Sequence, residues 1–370
     1  MDTKTVSRWA TALLAAVLCG AGHAQILIGQ TAGFTGPVAA GVKENTDGAR
    51  LWLDAVNARG GIAGRQLELV SLDDKFDPKL AGENAQKLAE RGAVALFLTR
   101  GTPPTEAVLP VLLANHMPLV GPSTGAMILH QPVNRYVFNV RATYQREAEK
   151  AIEHLHTLGI QRIAVVHADD SFGRDGLEGA NKGFTQARLK PTNILKADRS
   201  KPDYNQLVPP ILASDAQAVL WIGSSNAVAD GVRALRAAKS SVRVVTLSNN
   251  ASTGFIKALG EYSRGVIVTQ VYPAERSYAY TMVQEANDLA KAKGIALSPA
   301  MLEGYAAAKV LVEGLRRAGK NPTRETLQAA LEGMKRFDLG GLEVSFSPDD
   351  HTGLDFADLS IVSLEGRFVR

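Results

Sequence analysis

The sequence contains a single cysteine, Cys19, in 370 residues. One thiol forms no intramolecular disulfide and builds no thiolate metal cage. Blocks of like charge are missing too. The 41 basic and 37 acidic residues are interspersed, and a net charge of +4 without a Lys/Arg run lacks the footprint of a protein that grips phosphate backbones. There is no low-complexity tract. With 45% hydrophobic and 21% charged residues the chain has the composition of a folded globule, long enough for two domains with separate cores.

Long apolar runs are almost absent as well. The one exception, Thr11 to Gly22, follows Lys4 and Arg8 and ends in the small-x-small pair Gly22 and Ala24. This reads as a signal peptide over residues 1–24, cut after Ala24, and the run is short for a bilayer span. Leu18 stands before Cys19 where a lipoprotein signal wants a small residue. No second segment of about 18 apolar residues follows. The expectation is export to the periplasm of a released chain, 25–370.

What is present is an alternation of short apolar runs and amphipathic stretches. Ile26–Gln30, Leu67–Leu72, Val94–Leu98 and Leu119–Val120 read as buried strands, separated by helices at Glu44–Ala58, Lys79–Glu90 and Thr105–Asn115. Strands apolar on both faces, alternating with helices, predict a parallel sheet covered on both sides. A second cycle starts at the helical pattern Ala148, Ala151, Ile152, Leu155, with strands at Ile163–Val166, Val219–Ile222, Val242–Leu247 and Val266–Val271. Helices at Tyr278–Lys293, Pro299–Arg317 and Thr323–Lys335 follow, predicted to cover the first sheet. The tail, Glu343–Phe346 and Ala357–Val362, alternates like antiparallel strands around a polar turn at Pro348–Gly353.

The fold class is therefore α/β: two Rossmann-like lobes with parallel sheets, joined by a multi-strand hinge. Lobe 1 is expected over 25–142 plus 274–338, and lobe 2 over 143–273 plus 339–370. A cleft between such lobes is the default ligand site.

Catalytic readings fare poorly. Gly121-Pro122-Ser123-Thr124-Gly125 matches a nucleophile elbow after a strand, yet the helix behind it is interrupted at Gln131-Pro132 and no histidine stands in a triad context. His351, beside Asp350, is read as part of a solvated turn. Gly314 to Lys320 imitates a phosphate loop, but Asn321 replaces the hydroxyl that would hold magnesium. His154 and His156 are two apart on a helix and diverge. Asp73-Asp74 and Asp169-Asp170 close strands and read as turn formers and helix caps. The expectation is no enzyme, no cofactor and no metal, with a serine hydrolase using Ser123 as the rival from another class.

Small hydroxyl and glycine residues remain at the carboxyl ends of strands: Gly101-Thr102 and Ser123-Thr124-Gly125 in the first lobe, Ser224 and Ser248 in the second. In open α/β sheets ligands bind beyond those ends, and free N–H groups with hydroxyls suit a carboxylate.

These features, with Gly33-Phe34-Thr35-Gly36-Pro37, Gly48-Ala49, Val56 to Ile62, Asp73-Asp74 before Asp77-Pro78, Arg162 to His167, Phe172-Gly173 and Gly304-Tyr305-Ala306-Ala307, resemble the leucine/isoleucine/valine-binding family of periplasmic solute-binding proteins. The resemblance spans nearly the whole of 25–370. It implies a type I periplasmic binding protein fold and a small-molecule ligand, an amino acid or an organic acid or amide, delivered to the membrane permease of an ABC transporter. A periplasmic sensing subunit of the same fold is the alternative. A monomer and no nucleic-acid partner are expected.

The resemblance further implies that Gly101, Thr102, Ser123, Thr124 and Gly125 hold the ligand's carboxylate and take part in binding its ammonium, and that Phe172 covers the ligand. It puts Ser224 where aliphatic amino-acid binders carry a tyrosine and Ser248-Asn249 where they carry an acid against the ammonium. Gly41 replaces a cleft aromatic, and Phe76 and Gly101 stand in for the family's first-lobe disulfide. A buried ammonium without its carboxylate is costly. A carboxylate or amide without free ammonium is therefore as consistent as a polar amino acid held differently. The smaller residues imply a roomier cleft.

Overall fold

The computed structural model describes residues 25–370, so the signal peptide expected over 1–24 lies outside the described residues. The chain opens with the parallel strands β1 (Ile26–Ala32), β2 (Leu67–Asp73), β3 (Ala95–Phe97), β4 (Leu119–Val120) and β5 (Val137–Phe138), in sheet order β2-β1-β3-β4-β5. Helices α1 (Ala39–Ala58), α2 (Pro78–Glu90) and α3 (Thr102–Asn115) connect them. Helix α2 starts where Asp77 accepts from the backbone N–H of Lys79 and Leu80, with Pro78 in the first turn.

The second lobe begins at α4 (Tyr144–Thr157). Strands β6 (Ile163–Ala168), β7 (Ile194–Ala197), β8 (Ala218–Ile222), β9 (Arg243–Thr246) and β10 (Ile267–Gln270) run parallel, linked by α5 (Ser171–Ala187), α6 (Tyr204–Ala213), α7 (Ser225–Ala237) and α8 (Thr253–Leu259). Then come α9 (Thr281–Ala292), α10 (Pro299–Arg317) and α11 (Arg324–Glu332), a small antiparallel sheet of β11 (Phe337–Asp338), β12 (Glu343–Ser347) and β13 (Asp350–Gly353), and finally β14 (Asp358–Val362) and β15 (Phe368–Val369). The second sheet has the order β15-β14-β10-β9-β8-β6-β7, with β14 antiparallel to β10.

The late helices cover the first sheet, as their position after the second lobe predicts. Met301, Leu302, Tyr305 and Leu311 of α10 share one buried cluster with Ile28, Trp52 and Phe138. Two glycines allow α10 to lie against α1. A Cβ on Gly48 would stand 1.9 Å from the carbonyl oxygen of Met301, and one on Gly304 would stand 1.8 Å from that of Asn45. Only a bare backbone fits either position.

The tail strands alternate as expected but do not pair with each other. β12 pairs with β13, and Val344, Phe346 and Leu354 pack into the first lobe's core, whereas β14 joins the second sheet. His351 is a correction as well: it is buried, stacks on Phe138 at 4.2 Å and bonds the carbonyls of Asn134 and Val137 through Nδ1, and burial lowers its pKa.

The chain thus passes between lobes three times, near 142, 272 and 355. The first passage holds a buried ion cluster. Arg141 pairs with Glu147 on α4 and, at 3.0 Å, with Glu303 on α10. The second is pinned by the Tyr272 hydroxyl, which donates to the carbonyl of Val140.

Candidate functional site

The predicted first-lobe residues gather at the carboxyl ends of β3 and β4. Gly101 caps α3 with φ +83°, a conformation natural to glycine, and the Phe76 ring fills the space a side chain there would need. The hydroxyls of Thr102 and Thr124 share a hydrogen bond of 2.8 Å, both buried. Gly125 lies against the first passage, its carbonyl accepting from the N–H of Tyr144 at 2.7 Å. In the second lobe Phe172 packs edge-on against Tyr144 with ring centroids 4.8 Å apart. Ser224 is buried at the N-cap of α7 without a side-chain cap bond. Ser248 is held inside the hinge cluster, donating to Glu147 at 3.0 Å and accepting from Arg141 at 2.8 Å.

The residue that organises this set was not among those predicted. Arg100 follows β3, is only 5% exposed, and crosses the cleft. Its Nη1 donates to Ser123 Oγ at 2.7 Å and to Asn45 Oδ1 at 3.2 Å, while Nη2 donates to the backbone oxygen of Asn249, in the second lobe, at 2.6 Å. Burial pushes its pKa down from the ordinary arginine value, opposed in part by Tyr144 and Glu303 and reinforced by Arg141 and Arg199, but a guanidinium stays charged in proteins. Among the described residues Arg100 has no carboxylate within ion-pair distance. Its guanidinium also takes the room left at Gly41, where a Cβ would stand 3.2 Å from Nη2. The cleft is therefore not simply wider there; it is cationic.

Ser123 is accordingly no nucleophile. Its hydroxyl accepts from a guanidinium, which has no lone pair with which to take the proton a nucleophilic serine must lose.

Arg199 forms a second wall. It pairs with Asp170, and its guanidinium lies between the rings of Phe76 from lobe 1 and Phe172 from lobe 2, at 4.6 and 4.8 Å. Phe76 thus packs on Gly101 and against Arg199 at the same time.

Further contacts cross the cleft. Glu44 on α1 accepts from the N–H groups of Thr253 (3.1 Å) and Gly254 (2.9 Å), from the Thr253 hydroxyl (2.6 Å) and from Ser298 (2.7 Å), so it ties the first turn of α8 to lobe 1. Ser171 donates to Glu106 at 2.8 Å. The Met127 N–H donates to Asp175 Oδ1 at 3.3 Å. A cavity of about 340 Å³ beside Thr102 is lined from both lobes, by Glu106 and Met127 on one side and Ser171 and Asp175 on the other. Burial pushes the Asp175 carboxyl up to about 6. A larger cavity of about 790 Å³, lined by Ile256, Lys291 and Phe368 among others, touches Thr253 and Ser298 at the edge of these contacts but none of the predicted site residues.

An arginine directly after an apolar strand was the available signal for Arg100. A search for small hydroxyl residues passed over it. Arg199 and Asn45 carry no comparable local mark.

The geometry, a closed interlobe cleft at strand ends with no base beside its serine, agrees with comparisons to known proteins. A sequence profile described as periplasmic binding protein matches residues 25–363. The chain is 28% identical over 342 residues to the Leu/Ile/Val-binding protein BraC3 of Rhizobium johnstonii, covering 90% of this chain and 89% of that protein. It resembles the crystal structure of a substrate-binding periplasmic protein from Ralstonia solanacearum, with 31% identity, a TM-score of 0.85, and coverage of 93% of this chain and 99% of that one. It also resembles an extracellular ligand-binding receptor from Verminephrobacter eiseniae, with 26% identity, a TM-score of 0.83, and coverage of 94% and 100%. Strand order, cleft and comparisons converge: the chain belongs to the periplasmic binding protein family and is a ligand-binding protein and not an enzyme.

Proposed function

We propose that the protein is the solute-binding subunit of an ABC importer, acting in the periplasm after removal of residues 1–24. It closes on a small organic carboxylate and presents the closed form to a membrane permease. The observation that carries this reading is Arg100, a buried cation in the cleft, bonded across it to Asn249 and without a carboxylate partner among the described residues. An unpaired buried charge is costly, and a bidentate carboxylate is the partner a guanidinium fits best. The Ser123 hydroxyl bonded to it, with the paired Thr102 and Thr124 hydroxyls at the same strand ends, would orient the same group. Ligand contacts to both lobes favour the closed state over the open one, and this is how occupancy would be signalled to the permease.

The test is thermal unfolding and calorimetry with matched carboxylates, amides and alcohols. A ligand at 100 times its dissociation constant adds about 2.7 kcal/mol of stability, an easily seen shift. Carboxylates should stabilise the wild type, and Arg100→Met should weaken their binding by about 100-fold, or about 2.7 kcal/mol. Carboxylate binding that survives Arg100→Met within threefold overturns the assignment.

A further inference from the structure

Asn249 carries a second, unused polar atom. The residue is 7% exposed, and its backbone oxygen already accepts from Arg100. The orientation of its amide is set by its partners: Nδ2 donates to the carbonyl of Gly223 at 2.9 Å and to Asn250 Oδ1 at 3.1 Å. Turning the amide over would set oxygen against two oxygens. The remaining atom, Oδ1, is buried and accepts nothing. A buried acceptor left unmatched is costly, and here it belongs to the residue that closes on the cation of the cleft.

An ammonium is the wrong donor for it, because the three carboxylates bonded to the residues around Arg100 and Asn249 are already engaged. Glu147 accepts from Arg141, from the Ser248 N–H and hydroxyl, and from Thr269. Glu303 accepts from Arg141 and Asn45. Asp170 is paired with Arg199. An ammonium at Asn249 would meet a neutral amide next to guanidinium groups, and the charge on Arg100, which has no ion-pair partner among the described residues, calls for a ligand with a single negative charge. Arg199 Nε, at the cleft wall, is also buried and donates to nothing, so it calls for an acceptor.

We infer that the cleft selects carboxylates bearing an uncharged hydrogen-bonding group, a hydroxyl or an amide, over carboxylates bearing a free ammonium, and that Asn249 Oδ1 accepts from that group. This rests on the carboxylate reading above and adds the second half of the ligand.

Calorimetry on two matched series tests it: leucine, 2-hydroxy-4-methylpentanoate, N-acetyl-leucine and 4-methylpentanoate, and the corresponding phenylalanine, 3-phenyllactate, N-acetyl-phenylalanine and 3-phenylpropanoate. In at least one series the hydroxy or N-acetyl acid should bind at least tenfold more tightly than both the amino acid and the unsubstituted acid. Asn249→Ala should erase that advantage, and Asn249→Asp should shift preference toward the amino acid. Unfolding midpoints of both variants, taken without ligand, establish that they fold. An amino acid that binds the wild type as tightly as its hydroxy counterpart, or a preference that persists in Asn249→Ala, overturns the inference and leaves the carboxylate reading standing. Failure of every carboxylate in both series overturns the carboxylate reading itself.

Discussion

Arg141 and Arg100 are both buried guanidiniums, one in the hinge and one in the cleft, and they are balanced in opposite ways. Arg141 has two carboxylates, a serine hydroxyl and a backbone carbonyl, and its pKa is held above the ordinary arginine value despite burial, with Glu303 and Glu147 the favourable partners. Arg100 has neutral oxygens alone, and burial pulls its pKa down. The hinge is electrostatically complete without a ligand and the cleft is not. A charge left unbalanced in an otherwise well-paired interior marks the place where something else is meant to bind.

The sharpest way to break this contrast is to remove each cation. Arg141→Met strands Glu147 and Glu303 in the core and should cost about 3–5 kcal/mol in urea unfolding. Arg100→Met removes a charge that has no ion-pair partner among the described residues, so it should change unfolding stability by less than about 1 kcal/mol while weakening carboxylate binding as described above. Equal losses of stability from the two substitutions would show that the difference in balance is not real.

Asp175 extends the comparison to an anion. It has no ion-pair partner among the described residues, and burial raises its carboxyl from the ordinary 3.8 to about 6. The folded state therefore holds this proton more tightly than the unfolded chain does. The resulting stability is present below pH 4 and is lost as pH rises through 6. Asp175→Asn keeps the acceptor for Gln145 and Met127 and should add about 2 kcal/mol at pH 8 and little at pH 4. A gain that is the same at both pH values would sink this account. The smallest effect is expected at the cleft edge. Glu44→Ala releases the first turn of α8, and should lower the closed population and weaken ligand affinity by about tenfold, or about 1.4 kcal/mol. Small-angle scattering of the ligand-free variant should then report a larger radius of gyration than the wild type.

The two sheets were legible because their strands are apolar on both faces, and the late helices were legible as covers because, arriving after the second lobe, they had to pack somewhere and the first sheet had faces to cover. Elements with weaker signals were not. β7 is an edge strand whose first three residues are exposed or partly so, and α6 carries Pro209 and Pro210 in its interior. The tail showed alternation but not pairing, since β14's partner lies some ninety residues upstream. The same physics limited the reading of the site. Loops at strand ends follow from topology, so Thr102 and Ser123 could be named. Whether Arg100 is paired depends on Asn45 and on Asn249, which is 149 positions away in the chain.

The three passages between lobes also dictate an order of assembly. The second sheet needs residues 163–270 for its parallel strands, all from one stretch of chain. The first lobe opens the described chain, yet its core waits for Met301, Leu311, Leu331 and Phe346. A growing chain would carry β1 to β5 with one face covered by α1 alone until α10 emerged, by which time the parallel strands of the second sheet would all have been made. Completion of the first lobe's core is thereby deferred until most of the chain has been made, although that lobe is the first to be started.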